Sequence, residues 1–545
     1  MQHISFKGKQ IGTRDVPALQ RNLDGQVNRG VDATRSMRSL TWPETANDEP
    51  VTEVTMSEQP YEIVIGLEVH VQLRTRTKLF CRCSTEFGQP ANTQTCPVCT
   101  GQPGSLPVMN RDAFQLSMKT ALALHCQIPE FTRWDRKQYY YPDLPKGYQI
   151  SQYDLPMSCD GWLEICDSQG VFDPKRVGII RAHLEEDAGK SMHDETSGRA
   201  DSRIDLNRTG TPLLEIVSQP DLRSAAETRA YLDELKLLLQ YLDVSDCNMQ
   251  EGSLRVDANV NLHLDEPGGV IATPIVEIKN LNSFRAVERA LEYESQRQYE
   301  VWLEQGVKKG DIPKQTRGWD DQREVTRAQR HKEESSDYRY FPDPDLVPVV
   351  VTPDEVERVR GTVGELPAAL RLRLQEEYDV SEYDANVIVN QGRDFVEYFV
   401  EVADVSGDAR RTSNWIQQEI LRRLNELQIS IRQFPVAAAA LAGLVQAIAS
   451  GELDNSRGRD VFGRMFEHGE SVADAMQSLG IVSVDAGSLR SLCEGLLAEN
   501  PRVVAEVKEG KEKAVGALVG QAKRLNPNVN PSEVRALCLE LIAQQ

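Results

Sequence analysis

No apolar run in this chain approaches the ~18 residues that a membrane-spanning helix requires, although hydrophobic residues make up 40% of its 545 positions. A soluble protein is expected, and at roughly 150 residues per domain it has room for three or four cores. Basic residues are in deficit, with 62 Lys and Arg against 83 Asp and Glu and a formal net charge of −21. Proteins that coat nucleic acid indiscriminately gain affinity by neutralising phosphates, so that class is excluded and any RNA partner must meet local basic patches. Lys511, Lys513, Lys523 and Arg524 form one such cluster near the C-terminus, with a solvated helix face as the plainer reading. No secretory apolar segment is read at the N-terminus, so the ten cysteines are expected to serve metal binding rather than a disulfide framework.

Four of those cysteines, Cys81, Cys83, Cys96 and Cys99, make a C-x-C and a C-x-x-C pair joined by a short loop. Four neighbouring thiolates favour a structural Zn²⁺ in closed tetrahedral geometry; an iron–sulfur cluster and unliganded thiols are the alternatives.

Residues 1–58 read as a disordered extension: the first 42 hold seven Lys or Arg, three acids and no sustained period. An organellar transit peptide remains an alternative for it. From Tyr61 to about Val350 the chain is punctuated by Pro and Gly and alternates like strands, with helices expected near 111–125 and 221–242, an α+β region with an antiparallel sheet. Beyond Thr352 the period becomes helical, with breaks at Gly451, Gly469, Gly480 and Pro501, and two subdomains are expected.

Within the first region, Leu67, Val69, Val71 and Leu73 would face one side of a strand while Glu68, His70 and Gln72 face the other. Leu254 to Leu262 repeats the pattern, with Arg255, Asp257, Asn259 and Asn261 on the polar side, and Ile275 to Lys279 places Glu277 beside Lys279. A solvated sheet face would explain any one such strand. Their repetition brings carboxylates together, which repel unless a cation sits among them, so a Mg²⁺ site is expected on this face. The segment His183-Leu-Glu-Glu-Asp-Ala-Gly-Lys190 adds three acids and a lysine after a strand-like run from Val177 to Ala182. Gly189-Lys190-Ser191 resembles the end of a phosphate-binding P-loop, but Leu184 occupies the position where that motif needs its first glycine. The stretch from Trp134 to Gln152 mixes Tyr, Lys, Arg and Gln, a composition that suits base stacking and phosphates and equally suits a packed Tyr-rich strand.

Several strings together closely resemble the B subunits of the tRNA-dependent amidotransferases, the GatB family with its YqeY-like tail. They include Ile65-Gly-Leu-Glu-Val-His-Val-Gln-Leu73, Asp135-Arg-Lys137, Tyr148-Gln-Ile-Ser-Gln152, His183-Leu-Glu-Glu-Asp-Ala-Gly-Lys-Ser191 and Gly210-Thr-Pro-Leu-Leu-Glu-Ile-Val-Ser218. Gly252-Ser-Leu-Arg-Val-Asp-Ala-Asn259, Glu277-Ile-Lys-Asn-Leu-Asn-Ser-Phe284 and Asp337-Tyr-Arg-Tyr-Phe-Pro-Asp343 extend the likeness. The resemblance implies a cradle-like kinase/transamidase domain over 59–350, a helical linker region over 351–395 and a helical tRNA-binding tail over 396–545. It implies that ATP phosphorylates the side-chain carboxylate of Glu-tRNA(Gln) or Asp-tRNA(Asn) and that ammonia displaces the phosphate. The ammonia would come from a separate glutaminase chain, the family's A component, with a small third chain, its C component, completing a heterotrimer. No G-x-S-x-G nucleophile elbow is present, and Ser335-Ser336 lacks a Gly-rich setting, in keeping with a partner that makes the ammonia. A cytoplasmic location follows, or an organellar stroma or matrix if the extension is a transit peptide.

Carried onto this sequence, Glu68, His70, Glu186 and Glu277 would hold Mg²⁺, and Glu186, Glu215 and Glu277 would be catalytic. Lys137, Lys190 and Arg255 would contact ATP and, with Lys279, offset transition-state charge. Strand parity conflicts with one assignment, because alternation from Arg181 and His183 favours Glu185 over Glu186. In the tail, Lys513, Gly516 and Gly520 would share a helix face against the tRNA elbow.

Overall fold

The computed structural model describes residues 60–544 except 168–169, 194–201, 330–337 and 482–485. The expected disordered extension over 1–58 and the Ser335-Ser336 pair lie outside the described residues. Nine strands form the main sheet, in the order Val325–Ala328, Gln315–Asp320, Val276–Leu281, Leu254–Glu266, Glu62–Gln72, Pro212–Ser218, Lys175–Glu186 and Cys159–Ile165, with Gly269–Ala272 turning back on Leu254–Glu266. Alternation decides the layers: Leu67, Val69 and Val71 are buried, whereas Glu68, His70 and Gln72 between them are half-buried on the other face. The apolar face is covered by the helices Arg111–Ala123, Ala225–Tyr241 and Phe284–Gln305, each started by a side chain, Asn110, Ser224 or Ser283, that accepts a first-turn backbone N–H. Helices and sheet share one hydrophobic core.

The structure differs from the expected architecture in three places. The helix Phe284–Gln305 is not among the expected ones, because buried Glu294 and Gln298 interrupt its apolar stripe; Glu294 is held by Arg297 at 2.6 Å and Thr326 at 2.6 Å. That helix also crosses between Val276–Leu281 and Gln315–Asp320, which therefore pair parallel in an otherwise antiparallel sheet. The Tyr-rich stretch is two strands rather than one, Asp135–Gln138 and Tyr148–Ser151, which with Phe341–Pro342 make a small sheet against the end of Lys175–Glu186.

From Pro353 onward the described chain is helical. Its packing forms two cores, one from Leu370 to Ile481 and one from Leu489 to Ile542. Leu370, Leu374, Ala385 and Ile388 pack with Phe395, Phe399 and the helices beyond, because short helices bury their stripes only together. Leu237 and Tyr241 join this core, and Tyr241 donates to the Val389 carbonyl at 2.7 Å, so the helix Ala225–Tyr241 ties the sheet to the helical region. Among the described residues no helix is long and apolar enough to cross a membrane.

Candidate active site

Strand register assembles the polar face. Glu68 stands opposite Asp257, His70 opposite Arg255 on one side and Glu215 on the other, His183 opposite Glu215, and Asn259 opposite Glu277. Between Leu254–Glu266 and Val276–Leu281 the register shifts between Val256 and Ala258, with Asn280 left-handed at φ 64°. Lys279 beside that bulge reaches Asp257 at 2.6 Å and Glu277 at 3.1 Å.

Two metal-capable groups result, His70 with Glu185 and Glu215, and Glu68 with Asp257 and Glu277; within each, the ligand atoms lie within 4.8 Å of one another. In the first, His70 Nε2 is 3.8 Å from Glu185 and 3.5 Å from Glu215, and His183 Nε2 is 3.4 Å from Glu215. Burial opposes charge throughout this group, and the neighbours decide who keeps it. Burial drives His183 down to about 4. It also works against a charged His70, but the hydrogen bond and charge of Glu215, with the charge of Glu185, outweigh it and hold His70 above the ordinary imidazole range. Glu215 is held below the usual carboxylate range because His183, His70 and Lys137 override burial. With His183 neutral at physiological pH, the hydrogen bond from His70 and the charge of Lys137 are what hold Glu215 down. Burial pushes Glu185 up, offset only in part by Lys137. Lys137 itself is raised, since the Glu185 charge overrides its burial. In the second group Glu277 lies below the usual range: Lys279 and Lys314 and a hydrogen bond from Thr316 at 3.1 Å override burial.

A cavity of about 380 Å³ opens on this face, lined by His70, Lys137, Tyr139, Gln149, Glu185, Asp187, Arg255, Asp257 and Lys279 among others. Buried Asp187 accepts from Arg255 at 2.5 Å and from Gln72 at 2.7 Å, and lies 3.5 Å from Arg208. The arrangement offers two carboxylate groups that suit a hard cation, three cations that suit phosphate oxygens, and a high-pKa carboxyl beside an imidazole for proton transfer.

Of the residues singled out from sequence, Lys137, Arg255, Lys279 and His70 line the cavity, Glu215 sits behind His70, and Glu68 and Glu277 form the adjoining group. Glu186 belongs to neither group. The strand Lys175–Glu186 continues through both acids, so parity sends Glu185 to the cavity. Glu186 turns the other way, to an ion pair with Lys146 and the Ile150 N–H. Lys190 is exposed on a hairpin of Lys190–His193 with Ser202–Asp205 and does not line the cavity. Glu185, Asp257 and Asp187 are placed by sequence reasoning on the polar face or in the acidic cluster after it, but receive no individual role. Strand parity is enough to find the first two; Asp187 follows the last residue of its strand, where alternation carries no information. Lys146 comes from a loop and gives no periodic signal.

The four cysteines converge, with ligand atoms within 4.8 Å of one another and Cys96 and Cys99 sulfurs 3.9 Å apart. A tetrahedral Zn²⁺ with bonds near 2.3 Å needs sulfurs about 3.8 Å apart, so the quartet fits. The hydrogen bond from Cys81, with the charge of Lys78 in support, holds Cys99 down at about 4, a thiol prepared to act as thiolate.

Residues 63–357 match the family described as the GatB/GatE catalytic domain, and residues 397–542 match the GatB domain. The chain is 62% identical over 485 residues to the B subunit of the aspartyl/glutamyl-tRNA(Asn/Gln) amidotransferase from Rhodopirellula baltica, covering 89% of this chain and 97% of that protein. It is 48% identical over 483 residues to the protein of the same name from Moorella thermoacetica, covering 88% and 99%.

Proposed function

Because the chain belongs to the GatB family of tRNA-dependent amidotransferase B subunits, members of a glutamine-hydrolysing ligase complex, we propose that its polar sheet face performs both the activation and the amidation. The substrates are Glu-tRNA(Gln), Asp-tRNA(Asn) or both, as the names of the relatives suggest. The observation that carries this reading is the convergence of Glu185 and Asp257 with Lys137, Arg255 and Lys279 on one cavity, each acid belonging to a metal-capable group that extends beside it. A platform that only presented tRNA would gain nothing from carboxylates beside phosphates.

In the first step a substrate side-chain carboxylate oxygen takes the γ-phosphoryl group of ATP and ADP leaves. Lys137, Arg255 and Lys279 offset the charge on the phosphoryl oxygens. The oxygen-only group of Glu68, Asp257 and Glu277 fits Mg²⁺, and His70, Glu185 and Glu215 form a second candidate set. Magnesium, when bound, would neutralise phosphate charge. In the second step ammonia nitrogen bonds to the acyl carbon, phosphate departs, and the proton lost from nitrogen passes to Glu185, whose burial raises its affinity for it. Lys190 and Glu186 are left outside this machinery; Glu186 instead fixes the loop that carries Lys146.

Ammonia arrives from a partner glutaminase chain, with a small third chain in the assembly, and the helical region over 396–545 holds the tRNA. The closed quartet Cys81, Cys83, Cys96 and Cys99 takes Zn²⁺ as a structural centre. The bacterial relatives favour the cytoplasm as its location.

The test is transamidation by the reconstituted complex with ATP, Mg²⁺ and either glutamine or ammonium, comparing the native chain with Glu277→Ala. Loss of product from both nitrogen donors, with glutaminase activity and tRNA binding retained, is expected. Ammonium-driven turnover at the native rate would return the chemistry to another chain.

A further inference from the structure

Lys78 is fully buried, at 0% exposure. Its Nζ donates to the carbonyls of Gln94 at 2.8 Å and Leu206 at 3.4 Å and lies 3.7 Å from Cys99 Sγ. Among the described residues no carboxylate ion-pairs with it, and an ammonium enclosed in protein is costly without a counter-charge. Four thiolates around one divalent ion carry a net charge of two negatives, enclosed beside that ammonium.

The same lysine touches the turn that holds the acidic end of the catalytic strand. Leu206, whose carbonyl it meets, opens the turn through Asn207, Arg208 and Thr209 to Gly210. The Leu79 N–H donates to the Gly210 carbonyl at 2.8 Å, and the Gly210 N–H to the Asp187 carbonyl at 2.8 Å. Arg208 donates to the Ala188 and Gly189 carbonyls at 2.9 and 2.6 Å. Gly210, left-handed at φ 82°, lies where an added Cβ would stand 3.5 Å from Cys99 Cβ and 3.7 Å from Lys78 Cδ. The metal ligand Cys99 is thus one residue removed from the strand end that presents Asp187 to Arg255.

We propose that Lys78 is a positioning residue that balances the charge of the zinc tetrathiolate and ties it to the Leu206–Gly210 turn, so that metal occupancy braces the Asp187–Arg255 side of the cavity. This rests on the zinc reading of the quartet. Asn92 and Asn207 strengthen the same joint: the Asn92 N–H donates to Asp205 at 3.1 Å, and the Gln94 N–H donates to Asn207 at 2.8 Å.

The experiment measures zinc affinity of the full-length chain by competition with a chromophoric chelator, for the native protein, Lys78→Met and Lys78→Gln. The Gln variant keeps an N–H donor on a side chain one bond shorter and removes the charge. Both variants are expected to bind zinc about 10–100-fold more weakly with a native far-UV circular dichroism spectrum. Native affinity in Lys78→Gln would overturn the charge-balancing role. Hydrogen exchange of the Leu79 and Gly210 amides reads the joint: faster exchange is expected in both variants and in zinc-stripped native protein, and unchanged exchange would overturn the bracing. A native chain that takes up no zinc at all would defeat the zinc reading and this role together, a result distinct from either of the others.

Discussion

Two polar cavities stand out among the described residues, and the larger of these is the less prepared for chemistry. One of about 490 Å³ lies in the helical region, lined by Asp408, Arg410, Arg411, Trp415, Glu419 and Arg459 among others. Its charges are already paired: Arg411 with Asp408 at 3.1 Å and Arg422 with Glu419 at 2.9 Å, both one helical turn apart, and, between helices, Arg459 with Glu419 at 2.7 Å and Arg410 with Asp379 at 3.7 Å. The cavity on the sheet, about 380 Å³, draws its charges from strands far apart in sequence, and their ionisation is displaced in both directions. Volume follows from how helices leave gaps; chemistry follows from buried groups that cannot all be satisfied without a substrate.

The comparison breaks most readily at Glu215, the carboxylate between His70 and His183. Glu215→Ala should lower amidation from ammonium by about 10²–10⁴-fold, while Arg459→Ala in the helical cavity should leave kcat at saturating tRNA within about twofold, as expected of a surface ion pair. Equal effects in single-turnover product formation would erase the distinction between the cavities.

A smaller effect is expected from Arg255→Ala, which leaves buried Asp187 with only Gln72 and the more distant Arg208. The cost should be about 3 kcal/mol, read from the urea midpoint of the sheet domain. A shift no larger than that of Arg459→Ala would mean that Asp187 is solvated rather than enclosed.

The smallest effect sharpens the contrast from the helical side. Asp454 caps the helix Asn455–His468 by accepting the Ser456 and Arg457 N–H groups at 2.9 and 3.0 Å, and it pairs with Lys523 of the last core. Burial acts against its charge, but the Lys523 hydrogen bond and the backbone donors hold it below the ordinary value of 3.8. A depressed carboxylate contributes stability that is present above its unfolded pKa and lost as pH falls through the folded one. Asp454→Ala should therefore cost about 1 kcal/mol at neutral pH and progressively less below pH 3.8. Thermal unfolding at pH 7 and pH 3 measures it, and a loss that does not shrink in acid would assign the effect to packing alone.

Much of the site is legible in the residues alone. The alternation around Glu68 and His70, and around Arg255 and Asp257, locates the polar face, because one buried face fixes the parity of a strand. The same parity, followed through His183, points to Glu185, and the strand that continues through both acids agrees with it rather than with Glu186. The helix Phe284–Gln305 is illegible because its buried Glu294 and Gln298 interrupt the apolar stripe and complete their hydrogen bonds only in the folded chain, with Thr326 for the one and Thr273 for the other.

By itself the sequence determined which residue types share a face, which four cysteines lie close enough to meet a metal, and which family strings run through the chain. Tertiary structure alone decided that the acids divide into two groups, that Glu186 goes to Lys146, and that Lys190 stays in solvent. The reason is register. Periodicity within a segment says where a side chain points, whereas its neighbour across the sheet depends on how segments far apart in sequence align, and on register shifts such as the bulge at Asn280 that no local pattern encodes.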